Sequence, residues 1–307
     1  MRVLAHIHTF NDADVIEQAL DGLRRQTRQP DAIVIVDNAS TDTTLDRTFP
    51  EQVAIVRNPA NLGTSGAIRA GFAYGLEHGF DWVWIFDADS VPEPDALENL
   101  LVFYERLAPT AREEVCFLGC RATAPGGEAK DEPMIFKDAG GKPAIPVADA
   151  GYSRCDCAIW SGSLYRMTAV EKIGLPSADY VLDWAELEYG YRARQLGFTS
   201  YMVHSGVLNH DVGRSPGMVP KIYRLGPLKL QLDELSPIRC YYHVRNLIYF
   251  WLYQFKPRGL NRTVRNIGRS FAFTMTFVVR PVSHRRQLIA CLRGLWDGLT
   301  MHMERRH

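Results

Sequence analysis

The 307 residues are 46% hydrophobic and 23% charged, with 35 basic side chains balanced by 35 acidic ones. Such a chain buries an ordinary core, and its zero net charge gives no global footprint for a nucleic-acid partner. It holds one large domain with an appended piece, or two small ones.

Residues 3–9 read as a buried strand. Residues 14–17 (DVIE) have the form of a capping box, and Val15, Ile16, Ala19, Leu20 and Leu23 recur at helical spacing. The run AIVIV at 32–36 is continuous and β-branched, the mark of a strand covered on both faces. Residues 53–57 give a third strand and 66–77 a helix ended by His78-Gly79. Residues 82–86 give a fourth strand and 96–107 a helix. Strand–helix alternation predicts a parallel sheet flanked by helices, because parallel strands need crossovers. Residues 121–154, rich in Gly, Pro and charge, read as a long loop, a candidate lid or acceptor-binding loop. Structure resumes at 158–161, with a helix ending at Gly174 and a helix over 183–195 stopped by Gly197. Strands follow near 199–203 and 207–209. From Pro237 the pattern is helical, aromatic and basic: beyond Lys256 lie ten arginines against Asp297 and Glu304. That asymmetry suggests a membrane or polyanion surface, or a dimer interface. The apolar run 271–279 is short of the ~20 residues a membrane span needs. No signal peptide is read at the N-terminus, and the six cysteines lack paired CxxC spacing. A cytoplasmic protein with free thiols is expected, peripheral on the inner membrane face if the tail binds lipid.

Parallel sheets bind ligands at the carboxyl ends of their strands, and polar residues gather there. After the fourth strand, Asp87-Ala88-Asp89 places two carboxylates whose repulsion is relieved by protonation or by a cation. Mg²⁺ or Mn²⁺ suits them where a diphosphate is also present. After the second, Asp37 and Asn38 are placed to hold a nucleoside, and Asn38, Ser40 and Asp42 equally suit an Asx turn. After the third, Asn61, Gly63, Gly66 and Arg69 open a helix whose N-terminus favours anions. Neither a Rossmann GxGxxG nor a Walker loop is present.

Four segments together, HTFN (8–11), VDNASTD (36–42), NPANLGTSGAIRAGF (58–72) and IFDADS (85–90), resemble glycosyltransferase family 2. The resemblance implies the GT-A type of α/β fold, with Thr9, Phe10, Asn11, Asp37 and Asn38 around the nucleotide. Asp87 and Asp89 then bind the donor's metal, with Ala88 between them. The segment 182–193 (LDWAELEYGYRA) resembles the acidic helix start of rhamnosyl- and galactofuranosyltransferases. There the general base matches Glu186, with Asp183 in reserve, and pairing with Arg192 occupies Glu188. His210 matches a third metal ligand, ahead of His204; Trp160 falls where the acceptor pocket is shaped, and Arg245 in YYHVRN (241–246) where the diphosphate is approached. The implied domains are 1–218, a catalytic unit of halves 1–110 and 111–218, and 219–307, a helical, basic extension.

The implied activity is inverting, metal-dependent sugar transfer to a glycan acceptor, lipid-linked at the cytosolic face, in bacterial cell-surface polysaccharide synthesis. dTDP-rhamnose is the favoured donor and UDP-galactofuranose the next. Set against it are a scaffold that binds nucleotide sugar without catalysis and a membrane-surface adaptor. A sugar nucleotidyltransferase would carry a glycine-rich GxGxRL-type signature near the N-terminus, which HIHTFNDAD lacks.

Overall fold

The computed structural model describes residues 1–123, 134–137, 140–143, 145–146, 151–210, 220–225, 228–233, 235–255 and 284–302, with single positions 264, 268, 271, 274 and 275. Strands without polar alternation need cover on both faces. β1 (Val3–Thr9), β2 (Ala32–Asp37) and β4 (Trp82–Asp87) are buried almost throughout. β3 (Val53–Arg57) is buried only at Val53 and forms the sheet edge. Crossovers through α1 (Ile16–Arg24) and α2 (Gly63–Glu77) make this half parallel, in the order β3-β2-β1-β4.

The sheet continues in mixed sense. After β5 (Ser90–Pro92), α3 (Ala96–Arg106) and α4 (Pro109–Glu113) comes β6 (Val115–Thr123). β7 (Met134–Lys137) and β8 (Gly140–Pro143) pair with each other. β9 (Ile145–Pro146), β10 (Tyr152–Cys155), β11 (Ser163–Arg166), α5 (Met167–Ile173), α6 (Ala185–Gln195) and β12 (Thr199–His210) follow. β11 runs antiparallel between β4 and β6, and β12 pairs parallel to β6. The main sheet is therefore β3-β2-β1-β4-β11-β6-β12-β10-β9, with β5 paired to β12. One core fills it, from Val3, Ile7 and Ile16 through Trp84 and Leu100 to Leu208. Its α/β class and sheet flanked by helices are as the alternating pattern predicts.

The chain divides into two compact units: 1–137, 141–178 and 189–211 in the first, 138–140, 179–188 and 212–307 in the second. The second contains a hairpin, β13 (Pro220–Leu225) with β14 (Leu228–Asp233), then α7 (Pro237–Tyr249), a π-helical turn (Phe250–Gln254) and α8 (Arg285–Leu299). Helix α8 lies close on α7. A Cβ on Gly294 would stand 2.5 Å from the Tyr241 carbonyl oxygen, and Tyr241 donates to Asp297 at 2.8 Å.

Several local readings change. Helix α1 starts one residue later than a capping box at Asp14 requires: its N-cap is Val15, which makes no side-chain cap, and the Asp12 carbonyl accepts from Val15 and Ile16 instead. The two strands expected at 199–209 are one strand with irregular register between Val203 and Val207. Residues 158–161, where structure is expected to resume, precede the strand Ser163–Arg166, and the last residues of β6 fall within the stretch expected as the 121–154 loop. Residues 220–233 are strand where a helical extension from 219 is expected, and residues 179–188 fall in the second unit, not the first. Much of the 121–154 loop, most of the 271–279 run and all five arginines between 256 and 283 lie outside the described residues. The six cysteines are free thiols, all buried.

Candidate functional site

Register builds the site. Parallel pairing of β1 with β4 sets His8 opposite Asp87, and antiparallel pairing of β5 with β12 sets Ser90 opposite His210. His8 donates from Nε2 to Asp87 Oδ1 at 2.6 Å. His210 lies 3.6 Å from Asp87 Oδ2 through Nε2 and 3.6 Å from Asp89 Oδ1 through Nδ1. One ligand atom from each of Asp87, Asp89 and His210 falls within 4.8 Å of the others.

Hydroxyls orient this cluster. The Asp87 amide donates to Ser161 Oγ at 3.0 Å, Ser161 donates to Ser90 Oγ at 2.8 Å, and Ser90 Oγ meets His210 Nδ1 at 2.6 Å. A histidine that binds a metal usually has its other ring nitrogen fixed in this way.

Burial and charge oppose one another across the cluster. Burial alone would raise the Asp87 carboxyl, but the imidazoles of His8 and then His210 outweigh it and hold it below the usual carboxylate range. Burial, then the charge of Asp87, pushes Asp89 up, against a weaker pull from His210. Burial works against charge on His8, yet Asp87 raises it. His6, behind it on β1, is held well below the ordinary imidazole range by burial and then by His8. Neither ring nitrogen of His6 has a hydrogen-bond partner. A divalent cation fits this donor set, because it relieves the carboxylate repulsion and accepts both oxygen and imidazole nitrogen.

The loops after β1, β2 and β3 are tied into one rim. Asn11, at φ 60°, donates from its backbone amide to Ser40 Oγ at 2.9 Å, and its side-chain oxygen accepts from the Thr41 amide at 2.8 Å and the Asp42 amide at 3.3 Å. Asn38 donates to the Gly63 carbonyl at 3.1 Å and accepts from Asn58 at 2.8 Å and the Leu62 amide at 3.3 Å. Asn61 accepts from the Gly63 amide at 2.9 Å. Asp37, fully buried, accepts from the Ser40 amide and pairs with Arg57 at 3.3 Å. Thr9 is buried and bonds Asp12, and Phe10 stands 41% exposed beside them.

Other expected residues are engaged elsewhere. Arg69 donates to the Pro176 carbonyl at 3.1 Å. Gly66 makes room for Leu62, whose Cβ would stand 2.3 Å from an added methyl. Trp160 is buried among Phe72, Tyr165 and Tyr189, with its indole N–H unpartnered. Ala88 is buried between the two aspartates.

In the second unit, Arg245 is buried with its guanidinium on the Asn246 side chain at 2.7–2.9 Å and on the Asp179 carbonyl. Asp183 is not helical: α6 begins at Ala185, two residues after the expected start at 183. Arg239 and His243 occupy the Asp183 carboxylate. Glu186 sits half-buried in the first turn of α6. Glu188 is buried, and Arg192 donates to the carbonyls of Ile173 and Leu175. His204 bonds Ser153, away from the aspartates.

His8, Ser90 and Ser161 were not singled out from the sequence for this cluster. The signal for His8 was a histidine alternating with apolar residues in a strand covered on both faces. The serines carried none, because their roles depend on cross-strand register.

The profile described as Glycosyl transferase family 2 matches residues 5–174. The undecaprenyl-phosphate mannosyltransferase of Micrococcus luteus is 28% identical over 198 residues, 63% of this chain and 66% of its own. Galactofuranosyltransferase GlfT1 of Mycobacterium tuberculosis is 24% identical over 64% of this chain and 65% of its own. The chain thus spans just under two thirds of the length of these relatives. The dTDP-rhamnosyl transferase RfbF of Shigella flexneri is 21% identical over 87% of each chain. Among solved structures, S. aureus TarS 1-349 with UDP-GlcNAc superposes at a TM-score of 0.57 with 14% identity, over 99% of this chain and 83% of that one. GalNAc-T7 with UDP, GalNAc and Mn²⁺ does so at 0.59 with 12% identity, over 98% and 56%. These likenesses establish the GT-A fold.

Proposed function

Because the chain belongs to glycosyl transferase family 2, we propose that it transfers a sugar from a nucleoside-diphosphate donor to a glycan hydroxyl, with inversion and with a divalent cation. The observation that carries this is the Asp87–Asp89–His210 cluster at the carboxyl end of the parallel strands. Asp87, Asp89 and His210 would hold Mn²⁺ or Mg²⁺, which neutralises charge on a departing diphosphate. His8 keeps one Asp87 oxygen occupied and so directs the other toward the cluster.

The rim of Asn11, Asp37, Asn38 and Asn61 orients the nucleoside, and its cross-links keep that geometry rigid. Glu186 removes the proton from the attacking hydroxyl. Its rival Asp183 is the poorer base: burial would raise its carboxyl, but His243 and Arg239 outweigh that and hold it low. Arg245 supports the chain around Asp179 rather than the diphosphate.

Rhamnose from dTDP-rhamnose is the favoured sugar, supported by the length of the match to the Shigella relative, and galactofuranose from UDP-galactofuranose comes next. The acceptor is a lipid-linked glycan. Among the described residues no helix is long and apolar enough to cross a membrane. Helix α8 instead exposes Ile289, Leu292 and Trp296 beside Arg286 and Arg293, a face suited to a membrane surface, with a second copy of the chain as its other candidate occupant.

The test is thermal melting with UDP and dTDP, each with and without Mn²⁺, on the wild type and Asp89→Ala. Nucleotide at about 100 times its dissociation constant adds ~2.7 kcal/mol. A Mn²⁺-dependent shift that Asp89→Ala abolishes supports the site, and the better nucleotide selects the donor. No shift with either nucleotide in folded protein refutes it.

A further inference from the structure

Asp183 and Trp184 both have left-handed backbone, at φ 55° and 67°, and immediately precede α6. Among the described residues no other two consecutive non-glycine residues do so. Such residues carry backbone strain and persist only where their surroundings overdetermine them. The pair leads directly into Ala185, which opens the helix, so Glu186 falls in its first turn.

One stripe of α7 and the turn after it supplies the restraint. Arg239, His243, Asn246 and Phe250 recur at intervals of four, three and four, a single face of a helix. Arg239 donates to Asp183 Oδ1 through Nε at 3.2 Å and Nη2 at 3.0 Å, and His243 Nδ1 meets Oδ2 at 3.3 Å. Asn246 donates to the carbonyls of Leu182 at 2.7 Å and Asp183 at 3.0 Å, capturing the backbone of the turn itself. The Trp184 ring packs on Phe250 and Trp251 at 5.8 and 6.3 Å and on His243 at 6.2 Å. Behind the stripe, Arg245 fixes the Asn246 amide by donating to its oxygen, lies over the Tyr242 ring at 4.7 Å, and reaches the Asp179 carbonyl. Asn246 and Arg245 are both fully buried, so water does not substitute for these bonds.

A core needs no such arrangement. Hydrophobic packing of α7 alone would be met by a relaxed turn, whereas here two strained residues are bonded at side chain, carbonyl and ring by one helix face. We infer that Arg239, His243 and Asn246 are positioning residues for sugar transfer: a clamp that holds the Asp183–Trp184 turn and thereby sets where Glu186 stands. This rests on the reading of Glu186 as the base. The clamp acts on proton removal from the acceptor and leaves nucleotide binding unchanged.

Asn246→Asp tests it. The substitution is isosteric and keeps the acceptor for Arg245, but it loses both donors to the turn. Asp183→Asn is the second variant: asparagine tolerates the left-handed conformation, and only the charge on Arg239 and His243 is lost. In full-length protein with Mn²⁺, Asn246→Asp should lower kcat by about 100-fold, the scale of a small misplacement of a catalytic group. UDP or dTDP affinity and the acceptor KM should stay as in wild type. Amide exchange over residues 182–186 should quicken about tenfold for each ~1.4 kcal/mol of restraint lost. Asp183→Asn should fall between the two. In a Glu186→Gln background, Asn246→Asp should change kcat by less than about twofold, the limit for sites acting through one group.

Unchanged exchange and kcat in folded Asn246→Asp, with Glu186→Gln impaired, overturns the clamp alone. A full further loss on top of Glu186→Gln shows that Asn246 acts elsewhere and also overturns it. Glu186→Gln with undiminished transfer overturns the base assignment and the clamp's catalytic role with it, while faster exchange in Asn246→Asp would still mark the restraint itself.

Discussion

Gly71→Ala sets helix propensity directly against packing. In a helix interior alanine is favoured over glycine by ~1 kcal/mol, so from sequence the change is stabilising. In the structure the added Cβ would stand 1.7 Å from His6 Nδ1 and 2.3 Å from its Cε1. His6 is wholly buried on β1, with the His8 ring 5.7 Å away, so the contact cannot be relieved by a swing into solvent. Overpacking of this kind costs ~1–3 kcal/mol or more, so the net effect is a loss of up to ~2 kcal/mol. For a domain of this size that lowers the melting temperature by ~4–8 °C. His6→Ala in the same chain removes the obstructing ring and its two unpartnered nitrogens, and the cost of Gly71→Ala should then shrink by most of its value. Thermal melting of the four proteins closes the double-mutant cycle. A Gly71→Ala protein that melts at or above wild type, or a loss that persists undiminished with His6→Ala, refutes the reasoning.

Asp89→Asn should stabilise the metal-free protein while removing its Mn²⁺-dependent shift. The folded Asp89 carboxyl is raised by burial and then by Asp87, so its stabilising contribution is present below the unfolded carboxyl's pKa and is lost as pH rises through the higher folded one. The variant should therefore flatten the acid side of the melting profile without metal, and an unchanged profile refutes the electrostatic account. On the exposed face of α8, Trp296→Ala with Arg293→Glu should abolish sedimentation with vesicles of anionic phospholipid and leave neutral vesicles unaffected. Sedimentation that survives, or a concentration-dependent dimer lost in the same variant, turns that face over to a protein partner.

The nucleotide half of the fold was legible because its signals are local. AIVIV announces a doubly covered strand by itself, and Asp87 and Asp89 follow theirs in sequence order. The third member of the cluster, His210, came from family resemblance, since 120 residues separate it from Ser90, the residue it bonds. His8 belongs to the HTFN segment, but its bond to Asp87 depends on the register of β1 against β4, which periodicity does not encode. The segment 182–193 shows where helical reasoning stops. Acidic residues at i and i+3 share a face only if both are helical, and at Asp183 and Trp184 the backbone is left-handed instead.

That departure has a physical source outside its own sequence. Neither aspartate nor tryptophan prefers the conformation strongly enough to impose it, so it is imposed by residues 56 to 67 positions downstream. Arg245 illustrates the same point from the other end. An arginine in an aromatic helix suggests an anion, yet here its guanidinium meets a carbonyl and a carboxamide, both neutral acceptors within its own unit. Local pattern identifies which residues are polar and where a strand ends. Only tertiary pairing decides whether a polar group faces a ligand or holds in place the residue that does.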